Sequence, residues 1–145
     1  MRRGVRGKGQ EARGKGQEVT DDGAFRFEKL DVWQKAIAWI RDVYATTATF
    51  PDAERYGLSA QLRRCAVSVA SNIAEGTGRA TDADFVRFIE IAYGSLMEAV
   101  CQCQIAADLG YIVAGTHEQL RSEAAAIGRM LTGLRRHRMP ERKIR

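Results

Sequence analysis

The stretch Ser71–Phe85, SNIAEGTGRATDADF, gathers residues that could do chemistry: two glycines one residue apart, an acid before them and an arginine after. Glycine-rich turns cradle phosphate groups when backbone N–H groups converge at the start of a helix. This one follows a helical pattern rather than a strand. It lacks the third glycine of a dinucleotide fingerprint, and no Gly-Lys-Ser/Thr occurs in it. Asp82 and Asp84 would oppose an anion at the next helix start. The expected reading is a corner between two helices, with Gly76 closing the first in a left-handed conformation.

Upstream, Ser68, Asn72 and Glu75 form a polar line at i, i+4, i+7, on one face of a helix. A serine nucleophile needs a base with partners of its own. The two histidines, His117 and His137, are distant in sequence, and no Glu-x-x-His pair is present. Asn72 is expected to tie down the loop backbone or a neighbouring subunit. Cys65, Cys101 and Cys103 are an odd set at no familiar spacing. Positions 101 and 103 of a helix point about 200° apart, so they cannot chelate one ion together. The expectation is a protein without catalytic residues, cofactor or metal.

The net charge of +5 conceals a division. Residues 1–20 carry six Lys/Arg against two Glu, and residues 135–145 carry six against one. The body, residues 21–134, carries eleven Lys/Arg against fifteen Asp/Glu, a net of −4. Any argument for nucleic acid from overall charge is an argument about the ends. RGKGQE recurs at Arg6–Glu11 and Arg13–Glu18 with no apolar residue to bury, so residues 1–24 are expected to be a disordered basic tail. That tail reads as an arm for phosphates, as an inert extension, or as residues ahead of the true start. Residues 137–145 form a second basic tail. Met1-Arg2-Arg3 is followed by glycine and charge rather than an apolar segment, so no secretion signal is expected. No apolar run approaches the ~20 residues of a membrane span. A cytoplasmic protein is the default expectation.

Four elements must position these residues. Val32, Ala36, Trp39, Val43, Thr46 and Phe50 recur at helical spacing, which predicts a helix over 31–50, capped by Asp31 with Gln34 and stopped by Pro51. Leu58, Leu62, Cys65, Val69 and Ile73 predict a second over 58–75. A third, over 82–109, carries two stripes, with Thr81 as cap and Gly110 as left-handed stop. Leu120, Ala124, Ile127, Leu131 and Leu134 predict a fourth over 116–136. Four helices on short connections make an up-down-up-down antiparallel bundle over residues 25–136. The second stripe of the third helix (Val86, Ile89, Tyr93, Val100, Ala107), with Trp33, Ile37 and Tyr44, is expected to bury in a self-association interface. Gly94-Ser95 inside that helix costs ~1 kcal/mol relative to alanine, which close approach of helices or subunits would offset.

FEKLDVWQKA, FPDAERYGLSAQLRRCAVSVASNIAEG, FVRFIEIAYGSLMEA and ADLGYI together resemble the four-helix bundle proteins named after the 23S rRNA intervening sequences that encode some of them. The resemblance runs from about Phe25 to Arg135, and SNIAEGTGR and IAYGSLMEA are its most specific parts. It implies an antiparallel bundle that assembles into a homopentameric ring. More distantly, the chain is similar to accessory proteins of diversity-generating retroelements, which share that bundle and work with a reverse transcriptase and nucleic acid.

A helical hairpin turning near Gly78 would set residues of the second and third helices opposite each other when their numbers sum to about 157. Arg63 would then pair with Glu98, Arg64 with Glu90, and Gln61 would face Ser95 and Leu96. Arg63 and Arg64 read either as such a clamp or as a guanidinium face for RNA. Arg135, Arg136, Arg138, Arg142 and Lys143 could contact phosphates, and with no aromatic residues among them the contacts would tolerate any sequence. The expected function is a non-enzymatic oligomeric scaffold associated with RNA through basic tails. The alternative is an adaptor for a partner protein without nucleic-acid binding of its own.

Overall fold

A computed structural model describes residues 19–139. Among them the protein is all-helical, with four α-helices: α1 (Asp31–Thr47), α2 (Leu58–Thr77), α3 (Asp82–Asp108) and α4 (Ala114–Arg138). Short 3-10 turns at Arg26–Lys29 and Asp52–Glu54 precede α1 and α2. The repeat in residues 1–18 and the positions Arg142 and Lys143 lie outside the described residues. Each helix touches two others, in the cyclic order α1, α2, α3, α4, with no contact across the diagonals. No described helix is long and apolar enough to cross a membrane.

The apolar spacing read from the sequence becomes the core. Trp39, Leu62, Ile73, Leu96, Ile127 and Leu131 are fully buried at its centre. Trp39 also donates its indole N–H to the backbone oxygen of Leu120, 3.0 Å away, so its one polar atom is satisfied inside the core. Both stripes of α3 serve the chain itself in part. Val86 and Ile89 are buried, and Trp33, Ile37, Val100 and Ala107 pack half-buried against the core. The reason is that α3 has a neighbour on each side, α2 and α4. The large apolar side chains α3 leaves exposed include Ile91, Met97 and Ile105, outside the second stripe, and Tyr93, a member of it.

Several ends differ from expectation. α1 stops at Thr47, and Thr49 and Phe50 continue as tight turns ahead of Pro51. Asp31 is the first residue of α1 and caps nothing; Leu30 holds the cap position, and Gln34 donates to the Glu28 backbone oxygen at 2.8 Å. Thr81 does cap α3, accepting from the Asp84 N–H at 3.1 Å. Gly110 does close it at φ +83°.

Gly76 is the main correction. It is not a left-handed stop: α2 runs through it to Thr77. It is small because α3 crosses there. A Cβ on Gly76 would stand 3.1 Å from the Phe88 Cβ and 3.4 Å from the Phe85 ring. Gly94 is the converse: among the described residues a Cβ there would meet nothing within 4 Å, so none of the described helices packs against it.

The extra length of α2 moves the register. Ser68 meets Ser95 and Gln61 meets Gln102, so facing numbers add to 163 rather than 157. That is more than one helical turn. Phe88 Cβ is bound to backbone and cannot rotate away from an added methyl. Gly76→Ala should therefore lose more to overlap than the ~1 kcal/mol that alanine gains in a helix, for a net destabilisation of about 1–2 kcal/mol. Thermal unfolding of the variant checks this; a melting temperature equal to or above that of the parent would refute the close approach.

Candidate nucleic-acid interface

The register decides what the expected site residues can do. Arg63 does not reach Glu98. Its Nε donates to Thr47 Oγ1 at 2.7 Å, and Nη2 donates to the Tyr44 backbone oxygen at 3.2 Å. Its guanidinium lies over the Tyr44 ring at 4.4 Å. Both oxygens lie in the last turn of α1, and the Tyr44 carbonyl accepts from the Ala48 N–H at 3.1 Å as well. Arg63 is thus a clamp that closes α1 onto α2. Arg64 is exposed and has no ion pair with Glu90; Glu90 is instead 3.4 Å from Arg135.

The polar line on α2 is internal. Asn72 Nδ2 donates to the Ser68 backbone oxygen at 2.9 Å and to Ser68 Oγ at 3.0 Å, not to a loop. Ser68 and Ser95 share a hydrogen bond of 2.9 Å. Gln102, buried on α3, donates to Gln61 and to Glu98, each at 3.4 Å. Glu75 accepts from Arg79 at 3.1 Å. The result is a ladder of amides and hydroxyls along the α2–α3 seam, with the Glu98 carboxylate beside it. A nucleophile there would need a base, and neither histidine reaches it: His117 starts α4 and His137 ends it. Among the described residues no three His, Cys, Asp or Glu side chains cluster as metal ligands.

Charge collects at one end of the bundle. Arg135, Arg136 and Arg138 fill the last turn of α4. Arg138 bonds Asp82 at 3.1 Å and covers the Phe85 ring at 4.1 Å. Arg79 covers Phe88 at 4.5 Å. Arg26 and Lys29, on the 3-10 turn, line the same cavity as Arg79 and Arg138. Of these, Arg26, Lys29 and Arg79 were missed from sequence. Arg79 stands in view beside Gly78, but nothing local tells that Arg26–Lys29 folds over that corner. Arg63 lies 14 residues back along α2 from Thr77, about 21 Å at 1.5 Å per residue, so the two arginine groups form no single surface.

A family model described as the 23S rRNA-intervening sequence protein matches residues 28–133. With most of the chain covered, the protein belongs to that family. No individually curated protein matches the chain.

The thiols offer a check on the seam. Burial pushes Cys65 up to about 11, helped by the Glu98 carboxylate beside it, and burial alone pushes Cys103 up to about 11. The raised value leaves about one thiol in a thousand ionised at pH 8, and the thiolate is the reactive form. Maleimide at pH 8 should leave Cys65 and Cys103 unmodified in the native protein and label both in denaturant. Rapid native labelling of either would contradict the seam described.

Proposed function

We propose that this protein is a non-enzymatic, oligomeric helical-bundle scaffold that associates with RNA through basic residues at its ends, in the cytoplasm. The observation that carries the reading is the convergence of Arg79, Arg135, Arg136, Arg138, Arg26 and Lys29, from three separate segments, on one end of a body that is acidic overall. The charged ends need not be tails alone. The family name, taken from rRNA intervening sequences, favours RNA over DNA as the polyanion. The pairs Ser68–Ser95, Gln61–Gln102, Glu90–Arg135 and Asp82–Arg138 support the antiparallel up-down-up-down order.

Assembly into a homopentameric ring is the state that the family resemblance favours. Ile91, Gly94, Glu98, Cys101 and Ile105 share one outward face of α3 by their spacing, and the two isoleucines are exposed. A second copy covering that face would explain a glycine that none of the described residues crowds. Gly94→Leu should keep the helical signal and lose assembled mass by light scattering; an unchanged mass would exclude this face. The same exposed isoleucines are the observation behind a second reading, an adaptor whose apolar face holds a different protein.

The RNA reading is tested by titrating single-stranded RNA with the full chain over a salt series. Each phosphate contact on a single strand contributes a slope of about −0.7 in log affinity against log salt. Replacing Arg135, Arg136 and Arg138 with glutamine should flatten the slope by about 2. An unchanged slope would remove this end from the contact, and absence of binding at low salt would leave the adaptor reading.

A further inference from the structure

Arg129 and Arg136 stand two turns apart on one face of α4, about 10 Å along its axis. Both are exposed. Only Ala, Thr, Gly, Met and Pro occupy the positions three and four residues from either, so α4 itself offers them no acid. Among the described residues neither has an ion pair, a hydrogen bond or a ring contact. Both line an open groove of about 580 Å³ between α3 and α4, whose lining holds no carboxylate. Glu90 is in the adjoining cavity with Arg135, 3.4 Å from it, and the two charges offset each other. Asp82, Asp108 and Glu118 share these helix faces by spacing, but each lies 11 residues from Tyr93, Met97 or Arg129 respectively. That is about 16 Å, beyond the ~10 Å over which exposed charges act in salt. Asp84, Glu98 and Glu123 are on other sides of the two helices by spacing. The groove is therefore cationic by its two arginines.

It also has an aromatic wall. Tyr93 and Met97, one turn apart on α3, line it and are 39% and 42% exposed. Gly128 and Gly133 of α4 leave room opposite them. The Tyr93 Cε2 atom lies 3.5 Å from where a Gly128 Cβ would stand, so the ring rests on the α4 backbone beside Arg129. A Cβ on Gly133 would meet none of the described residues within 4 Å. Tyr93 and Thr132 line the adjoining cavity as well, so the groove runs on to Arg135 and the basic end. No aromatic residue neighbours these arginines in sequence; α3 supplies one from 36 positions before Arg129.

We propose that this groove holds single-stranded RNA, with a base stacked on Tyr93 and flanking phosphates on Arg129 and Arg136. The inference rests on the RNA reading above and adds the path and form of the strand. Aromatic rings in a cationic groove take bases of any sequence, since every base has a flat face. Stacking needs an unpaired base, which a duplex does not offer. The planar fork of each arginine matches phosphate oxygens. The chain's own ends do not suit the groove, because residues 1–20 carry a net +4 and residues 135–145 a net +5. An acidic protein segment would answer the arginines alone, and is the occupant against which the bases are tested.

The full-length protein is titrated over a salt series with a single-stranded RNA and with polyglutamate, a polyanion without bases. Tyr93→Leu should weaken RNA about tenfold, leave the salt slope unchanged and leave polyglutamate unaffected. Arg129→Gln should flatten the RNA slope by about 0.7. Lys35→Gln, on the exposed side of α1, should alter neither. Circular dichroism establishes that each variant is folded; if Tyr93→Leu is not, the exposed Arg129→Gln decides. RNA binding equal in the parent and in folded Tyr93→Leu, or in the parent and in Arg129→Gln, overturns the groove and leaves the basic end standing. Weakening by these two variants, but not by Arg135→Gln and Arg138→Gln together, upholds the groove and removes the end. Absence of RNA binding at low salt overturns both. Polyglutamate binding that is lost in Arg129→Gln would then give the groove to an acidic protein.

Discussion

Gly76 lies so close to Phe88 that a single methyl would overlap it, and this contact governs the α2–α3 seam. The crossing lies next to the corner, where a short connection leaves little freedom. With that end set, every facing pair along the two helices follows from the rise per residue. Ser68 finds Ser95, and Gln61 finds Gln102. A shift by one turn would set Ser68 and Gln61 against different residues and remove both of these contacts. Close approach and polar complementarity thus specify one register together.

The arginines divide into two kinds by what they touch. Arg63 bonds two oxygens of the last turn of α1 and rests on Tyr44, which makes it part of the bundle. Arg79 and Arg138 are held by rings and single carboxylates at the surface, where exposed ion pairs contribute at most about 1 kcal/mol. The acidic body and the basic end are therefore compatible in one small protein, since the charges that matter for a partner are those gathered at one place.

The apolar surface follows a similar division. α3 is long and apolar on more than one side, and its two neighbours take most of that surface into the core. What is left exposed includes Ile91 and Ile105, on one face with Gly94 by their spacing, and Tyr93 and Met97 on another.

The sequence by itself determined the four helices, the Thr81 cap, the Gly110 stop and nearly every core position, because these depend on spacing and local backbone preference. The family was also legible, through SNIAEGTGR and IAYGSLMEA. Tertiary structure alone decided the register, since that turned on whether α2 ended at Glu75 or ran through Gly76 to Thr77. A glycine near a helix end reads equally well as a left-handed stop or as room for a neighbour, and only the position of Phe88 separates the two. The expected partners of Arg63 and Arg64 went astray for that reason. The gathering of Arg26, Lys29, Arg79 and Arg138 was beyond reach for another: it depends on how a short 3-10 turn and the end of α4 fold against one corner, and no periodicity records contacts between segments so far apart in the chain.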